Sequence, residues 1–145
     1  MGYETRLIVG HRYDCTIGDS KDIFMVPIAT FDLKKMCSDK FTNRNSTLFK
    51  TPIDFKMREH RLIKEISYNN KTDSGVAEIV YSVNTDKYDD VCCYASVKDV
   101  YEELKKYISK EEAEDDYIRY TIIPCMKYLE TLVDVNSVIV IHYGY

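Results

Sequence analysis

Apolar and polar residues alternate in two rhythms along this chain, a two-residue period in the first two thirds and a helical one afterwards. Residues 5–13 (TRLIVGHRY) are apolar and β-branched at their centre and predict a strand. Residues 14–22 hold Gly18, Ser20 and three Asp, and predict a long turn. Residues 23–31 (IFMVPIATF) predict a second strand, completing a hairpin. Pro27 cannot donate to a ladder, so this strand lies at an edge or carries a bulge there. In residues 76–83, Ala77, Ile79, Tyr81 and Val83 alternate with Glu78 and Ser82. With residues 62–68 they predict a second hairpin around the turn-forming stretch 69–75. Leu62, Ile63 and Ile66 also share a helical face, so 57–66 has a helical alternative. The stretch 32–55 is the least regular: Leu33, Met36 and Cys37 suggest a short helix capped by Asp32, and 42–51 an exposed loop.

The helical period begins at a capping pattern, Ser96-Val-Lys-Asp99. Val97, Val100, Tyr101, Leu104, Tyr107 and Ile108 follow on one face. A second capping pattern, Ser109-Lys-Glu-Glu112, opens a helix with Ile118, Ile122, Cys125, Met126, Leu129, Leu132 and Val133 on one stripe. Pro124 lies inside it and predicts a kink near 120–123. Asn136 and Ser137 break the pattern, and 138–143 (VIVIHY) predicts a strand buried on both faces. This order predicts an α+β fold: a single domain over 1–145, an antiparallel or mixed sheet of about five strands, two C-terminal helices on one face and a buried final strand.

Composition adds bounds. With 145 residues, 45% of them hydrophobic, the chain can bury a core of its own. Its longest purely apolar run is 138–141, too short to span a bilayer, and no secretory signal is recognisable at the N-terminus. Five cysteines, an odd number without framework spacing, predict reduced thiols and a cytoplasmic protein. Thirteen tyrosines and no tryptophan favour amphipathic surfaces.

Charge changes the picture most. The net charge is −4, yet residues 34–64 carry nine Lys or Arg against three acids, and 86–134 carry thirteen acids against seven bases. The run Glu111, Glu112, Glu114, Asp115 and Asp116 exceeds what helix capping requires. Charge sorted in this way steers a partner, or else joins parts of one chain or two copies of it.

Motifs are few. His11 and Cys15 have tolerable ligand spacing without a second pair, and Asn84, Asp86 and Asp90 lack the Gly and Glu of a calcium loop, so no metal and no cofactor is expected. The five glycines form no phosphate loop. If the first and last strands pair, His11 and His142 come near one sheet end, and with Arg12 they define an alternative reading: an enzyme for a phosphorylated or nucleotide-like substrate. Arg12, Arg58, Arg61 and Lys64 are the candidate ligand contacts, and Phe41, Phe49 and Phe55 within the basic stretch leave nucleic acid as a weaker option. Those phenylalanines are better read as anchors to the core.

The expectation is a non-enzymatic binding protein, an accessory or inhibitor protein, that engages a macromolecular partner through its basic and acidic segments. The acidic run would meet a protein partner, a homodimer is a candidate assembly, and no membrane partner is expected.

Overall fold

The protein is described by a computed structural model covering residues 5–34, 38–64, 74–83, 91–109, 116–132 and 134–144. Its strands form one mixed sheet. β1 (Thr5–Ile17) and β2 (Ser20–Leu33) are followed by β3 (Thr51–Pro52), β4 (Lys56–Lys64), β5 (Ser74–Tyr81) and β6 (Cys93–Ser96). Helices α1 (Val97–Ile108) and α2 (Ile123–Glu130) precede the last strand, β7 (Val138–Gly144). The spatial order is β3-β6-β7-β1-β2-β4-β5. All neighbours are antiparallel except β2 and β4, which pair in parallel at Phe24↔Lys56 and Met25↔Met57.

The sheet therefore has seven strands rather than five. The two additional ones, β3 and β6, have two and four residues, too few to show a two-residue period. The first hairpin differs too. Its strands run to Ile17 and from Ser20, so 14–22 is mostly ladder and the turn is Gly18-Asp19. Gly18 has φ of 61°, the left-handed conformation a tight turn needs and a glycine adopts without strain.

Pro27 has both properties its chemistry requires. The register slips between Val9↔Ala29 and Gly10↔Pro27, leaving Ile28 as an extra bulge residue. Pairing with β4 stops at Met25, so Pro27 owes no N–H to that side. Gly10 faces this bulge at close quarters: a Cβ there would lie 2.5 Å from the Val26 carbonyl oxygen. Backbone cannot yield as a side chain does, so Gly10→Ala is expected to destabilise the fold by about 2–3 kcal/mol, read as a lower urea midpoint.

The proposed helix over Asp32, Leu33, Met36 and Cys37 is not formed at its start, because Asp32 and Leu33 belong to β2; residues 35–37 lie outside the described ones. Residues 56–64 are a strand, not a helix, in register with β5 from Met57↔Tyr81 to Lys64↔Ser74. Ser96 caps α1, its Oγ accepting from the Asp99 N–H at 3.2 Å. The Ser109–Glu112 cap falls on residues largely outside those described. At Pro124 the chain forms a π-helical turn over Ile118–Ile122, where the Ile123 N–H donates to the Ile118 carbonyl. The wider turn accommodates the proline, which has no N–H to donate.

Alternation along the central strands sorts apolar side chains onto two faces. Leu7, Val9, Val138 and Val140 join Val100, Leu104, Ile118, Ile122 and Met126 beneath the helices. Ile8, Ile139 and Ile141 point the other way, into a smaller cluster with Met25, Met57, Phe55 and Cys92. β7 is thus buried on both faces, as its unbroken apolar run requires. Phe41 and Phe49 sink into the helical-side core and pin the irregular 38–50 segment, while Phe55 enters the opposite cluster. The buried Tyr107 hydroxyl has no hydrogen-bond partner among the described residues. Tyr107→Phe is therefore expected to be neutral or to stabilise by about 1 kcal/mol, measured by chemical denaturation.

Candidate functional site

β1 and β7 do pair, but their register separates the two histidines. His142 stands opposite Leu7 and His11 opposite Val138. Four strand positions put them roughly 13 Å apart. His142 is fully buried, packed at 5.0 Å on Phe49. Its Nδ1 lies 2.7 Å from Asn43 Oδ1 and its Nε2 lies 3.0 Å from Thr5 Oγ1. His11 stays near the surface, stacked on Tyr13, with Nε2 2.5 Å from Asp134 Oδ2.

The candidate cations fall on different faces. Arg12 shares the Met25 side of the sheet and binds Asp54 through Nη2 at 2.8 Å. That hydrogen bond raises the guanidinium's pKa. Tyr94 packs on Phe55 nearby, and burial, then Asp54, pushes its phenol up. A cleft of about 400 Å³ beside them is lined by Lys21, Asp22, Ile53, Asp54, Phe55 and Lys56, a mixture of both signs.

Arg58 lies on the opposite face, over the Phe24 ring at 5.3 Å. It grips Glu78 with Nε–Oε1 2.7 Å and Nη2–Oε2 3.1 Å, and Nη1 donates to Tyr13 Oη at 3.2 Å. The grip holds the Glu78 carboxyl below its usual range and raises the arginine further. Because the folded carboxyl is depressed, the pair stabilises at neutral pH and is lost as pH falls below the ordinary glutamate value of about 4.3. Arg58→Ala is expected to remove that component of the acid-unfolding profile, as followed by circular dichroism. The side chains of Arg61 and Lys64 lie outside the described residues.

Part of the charge asymmetry is satisfied within the chain. Lys40, in the basic stretch, binds Glu103 of α1 at 3.2 Å, and Glu103 is largely buried. Residues Glu111, Glu112, Glu114 and Asp115 lie outside the described ones; Asp116 is exposed at the start of the second helical segment.

That segment carries a feature the run of acids did not reveal. Ile118, Ile122, Met126 and Leu129 point inward, which leaves Tyr120 and Tyr128 outward, 71% and 67% exposed, with Tyr117 partly so. Pro124, Thr121 and Lys127 are exposed alongside them. The signal was available in the spacing, since these tyrosines are the residues left off the apolar stripe.

No three His, Cys, Asp or Glu side chains converge among the described residues in a way that could hold a metal ion. Burial pushes the Cys93 and Cys125 thiols up, which disfavours the nucleophilic thiolate. Among the described residues no helix is long and apolar enough to cross a membrane. No protein-family model, no curated protein and no solved structure matches the chain.

Proposed function

We propose that this chain is a small non-enzymatic binding protein of the cytoplasm, an accessory or inhibitor protein that engages a macromolecular partner through its charged segments. The reading rests on one observation: Tyr120 and Tyr128 stand exposed on a helix that follows directly from the acidic run 111–116. Large amphipathic rings beside concentrated negative charge suit a basic, arginine-bearing protein surface, where carboxylates draw the partner in and rings stack on guanidinium groups. The acidic segment is the stronger contact. In the basic segment Arg58 and Lys40 are held by Glu78 and Glu103, so less of its charge is available.

The test is partner capture with two variants of the full chain. Tyr120→Ser with Tyr128→Ser removes the rings; Glu111→Gln, Glu112→Gln, Glu114→Gln, Asp115→Asn and Asp116→Asn together remove the charge. A stoichiometric basic protein retained by the parent is expected to bind each variant at least ~10-fold more weakly, with unchanged melting temperature and an affinity that falls with salt. A partner that binds both variants as tightly as the parent refutes the assignment.

A further inference from the structure

The two edges of the sheet are unlike. At one end β3 is two residues long and includes Pro52, which has no N–H. Short length and proline are the ordinary means of blunting an edge. At the other end β5 runs for eight residues, SGVAEIVY, with neither proline nor lysine. It pairs with β4 on its inner side at every position from Ser74 to Tyr81, and no described strand lies on its outer side. Alternate residues of such a strand aim their N–H and C=O groups outward.

β4 and β5 also stand partly apart from the rest of the sheet. β4 is registered with β2 only at Lys56 and Met57, but with β5 at eight positions. Beyond Met57 the pair is a two-stranded ribbon, a unit that is marginal in water until a further strand or a packed face supports it.

We propose that β5 pairs antiparallel with the β5 of a second copy of this chain across a two-fold axis, joining the two sheets edge to edge. The inference goes beyond the proposed function and does not depend on it. Three features select a second copy as the occupant. Antiparallel pairing of identical strands about a two-fold is self-complementary, and it supplies every outward backbone group with a partner. The only ionisable group on the edge that is charged at neutral pH, Glu78, is already held by Arg58 of the adjacent strand. Two copies therefore bring together neutralised pairs, not two bare carboxylates. Val80, opposite Arg58 in the register, is a valine left 47% exposed beside the edge, and a neighbouring strand would cover it.

Sedimentation velocity on the full chain over a concentration series tests this, with hydrogen exchange on the β5 amides as the second measurement. The expected result is a species of twice the 17.0 kDa chain mass that dissociates on dilution. Val80→Lys, an exposed site, is expected to weaken the dimer at least ~10-fold while leaving the circular dichroism of the diluted protein unchanged. Alternate β5 amides should be protected in the dimer and exchange freely in the diluted protein. A monomer at concentrations up to about 1 mM overturns the proposal. So does a dimer indifferent to Val80→Lys with unprotected β5 amides, or protection of those amides in the monomer, which would mean the chain covers its own edge. Protection that appears only with a foreign protein bound would assign the edge to that protein and equally overturn it.

Discussion

Replacing His142 with alanine is expected to lower the unfolding free energy by about 4 kcal/mol and the melting temperature by roughly 10 °C. The ring has no solvent exposure, so its removal opens a cavity against Phe49. It also takes a hydrogen-bond partner from Asn43. Asn43 uses its Nδ2 to donate to the Gly144 carbonyl at 2.5 Å, which turns its Oδ1 toward the imidazole and assigns the proton to Nδ1. Thr5 Oγ1, itself bonded to the Tyr143 carbonyl at 2.8 Å, lies against Nε2. Alanine removes the N–H that Asn43 Oδ1 accepts from and opens a void beside Thr5 Oγ1, which keeps its bond to the Tyr143 carbonyl; losing the hydrogen bond to the imidazole adds about 1–2 kcal/mol to the cost of the cavity. Thr5→Val, which keeps the shape and removes one hydroxyl, should cost only about 1–2 kcal/mol. Urea denaturation measures both. A loss below ~1 kcal/mol for His142→Ala would show that this network does not hold the sheet end to the 38–50 segment.

Phe41→Ala should be comparably severe, about 3–5 kcal/mol. Phe41 is fully buried in edge-to-face contact with Phe49, with ring centroids 5.5 Å apart, and Phe49 rests in turn on His142. The segment around it has little regular structure, so these rings do what a ladder of hydrogen bonds does elsewhere. Ser46 helps: its Oγ donates to the Lys40 carbonyl and accepts from the Leu48 and Phe49 N–H groups. Limited proteolysis within 38–50 should accelerate in Phe41→Ala before global unfolding does. A double-mutant cycle between Phe49→Ala and His142→Ala should show coupling above about 0.5 kcal/mol. Additive losses would mean that the rings and the imidazole act independently.

These two residues also mark where inference from sequence succeeds and fails. Phe41 was readable as an anchor, because an aromatic residue in a polar stretch has few other stable places to go. The partners that make His142 a structural group were not readable. Its partners Asn43 and Thr5 are distant in sequence, and only the register of β1 against β7 brings all three together. The same register sets His11 apart and gives it Asp134 instead. The charge pattern divides similarly. The asymmetry between 34–64 and 86–134 is visible in composition, but that Lys40 meets Glu103 and Arg58 meets Glu78 depends on which strands and helices are neighbours.

From its residues alone the chain specifies what local chemistry controls: the cap at Ser96, the buried faces of its helices, an edge or a bulge at Pro27, the two-sided burial of β7, and an α+β order of elements. Periodicity and backbone geometry act over a few residues, so they can be read from a few residues. Tertiary structure alone decided the rest: the seven-stranded order, the short strands β3 and β6, the separation of Arg12 from Arg58 across the sheet, and the contrast between a blunted edge and an open one. Each of these depends on pairing between residues tens of positions apart, and such pairing is chosen by the packing of the whole chain.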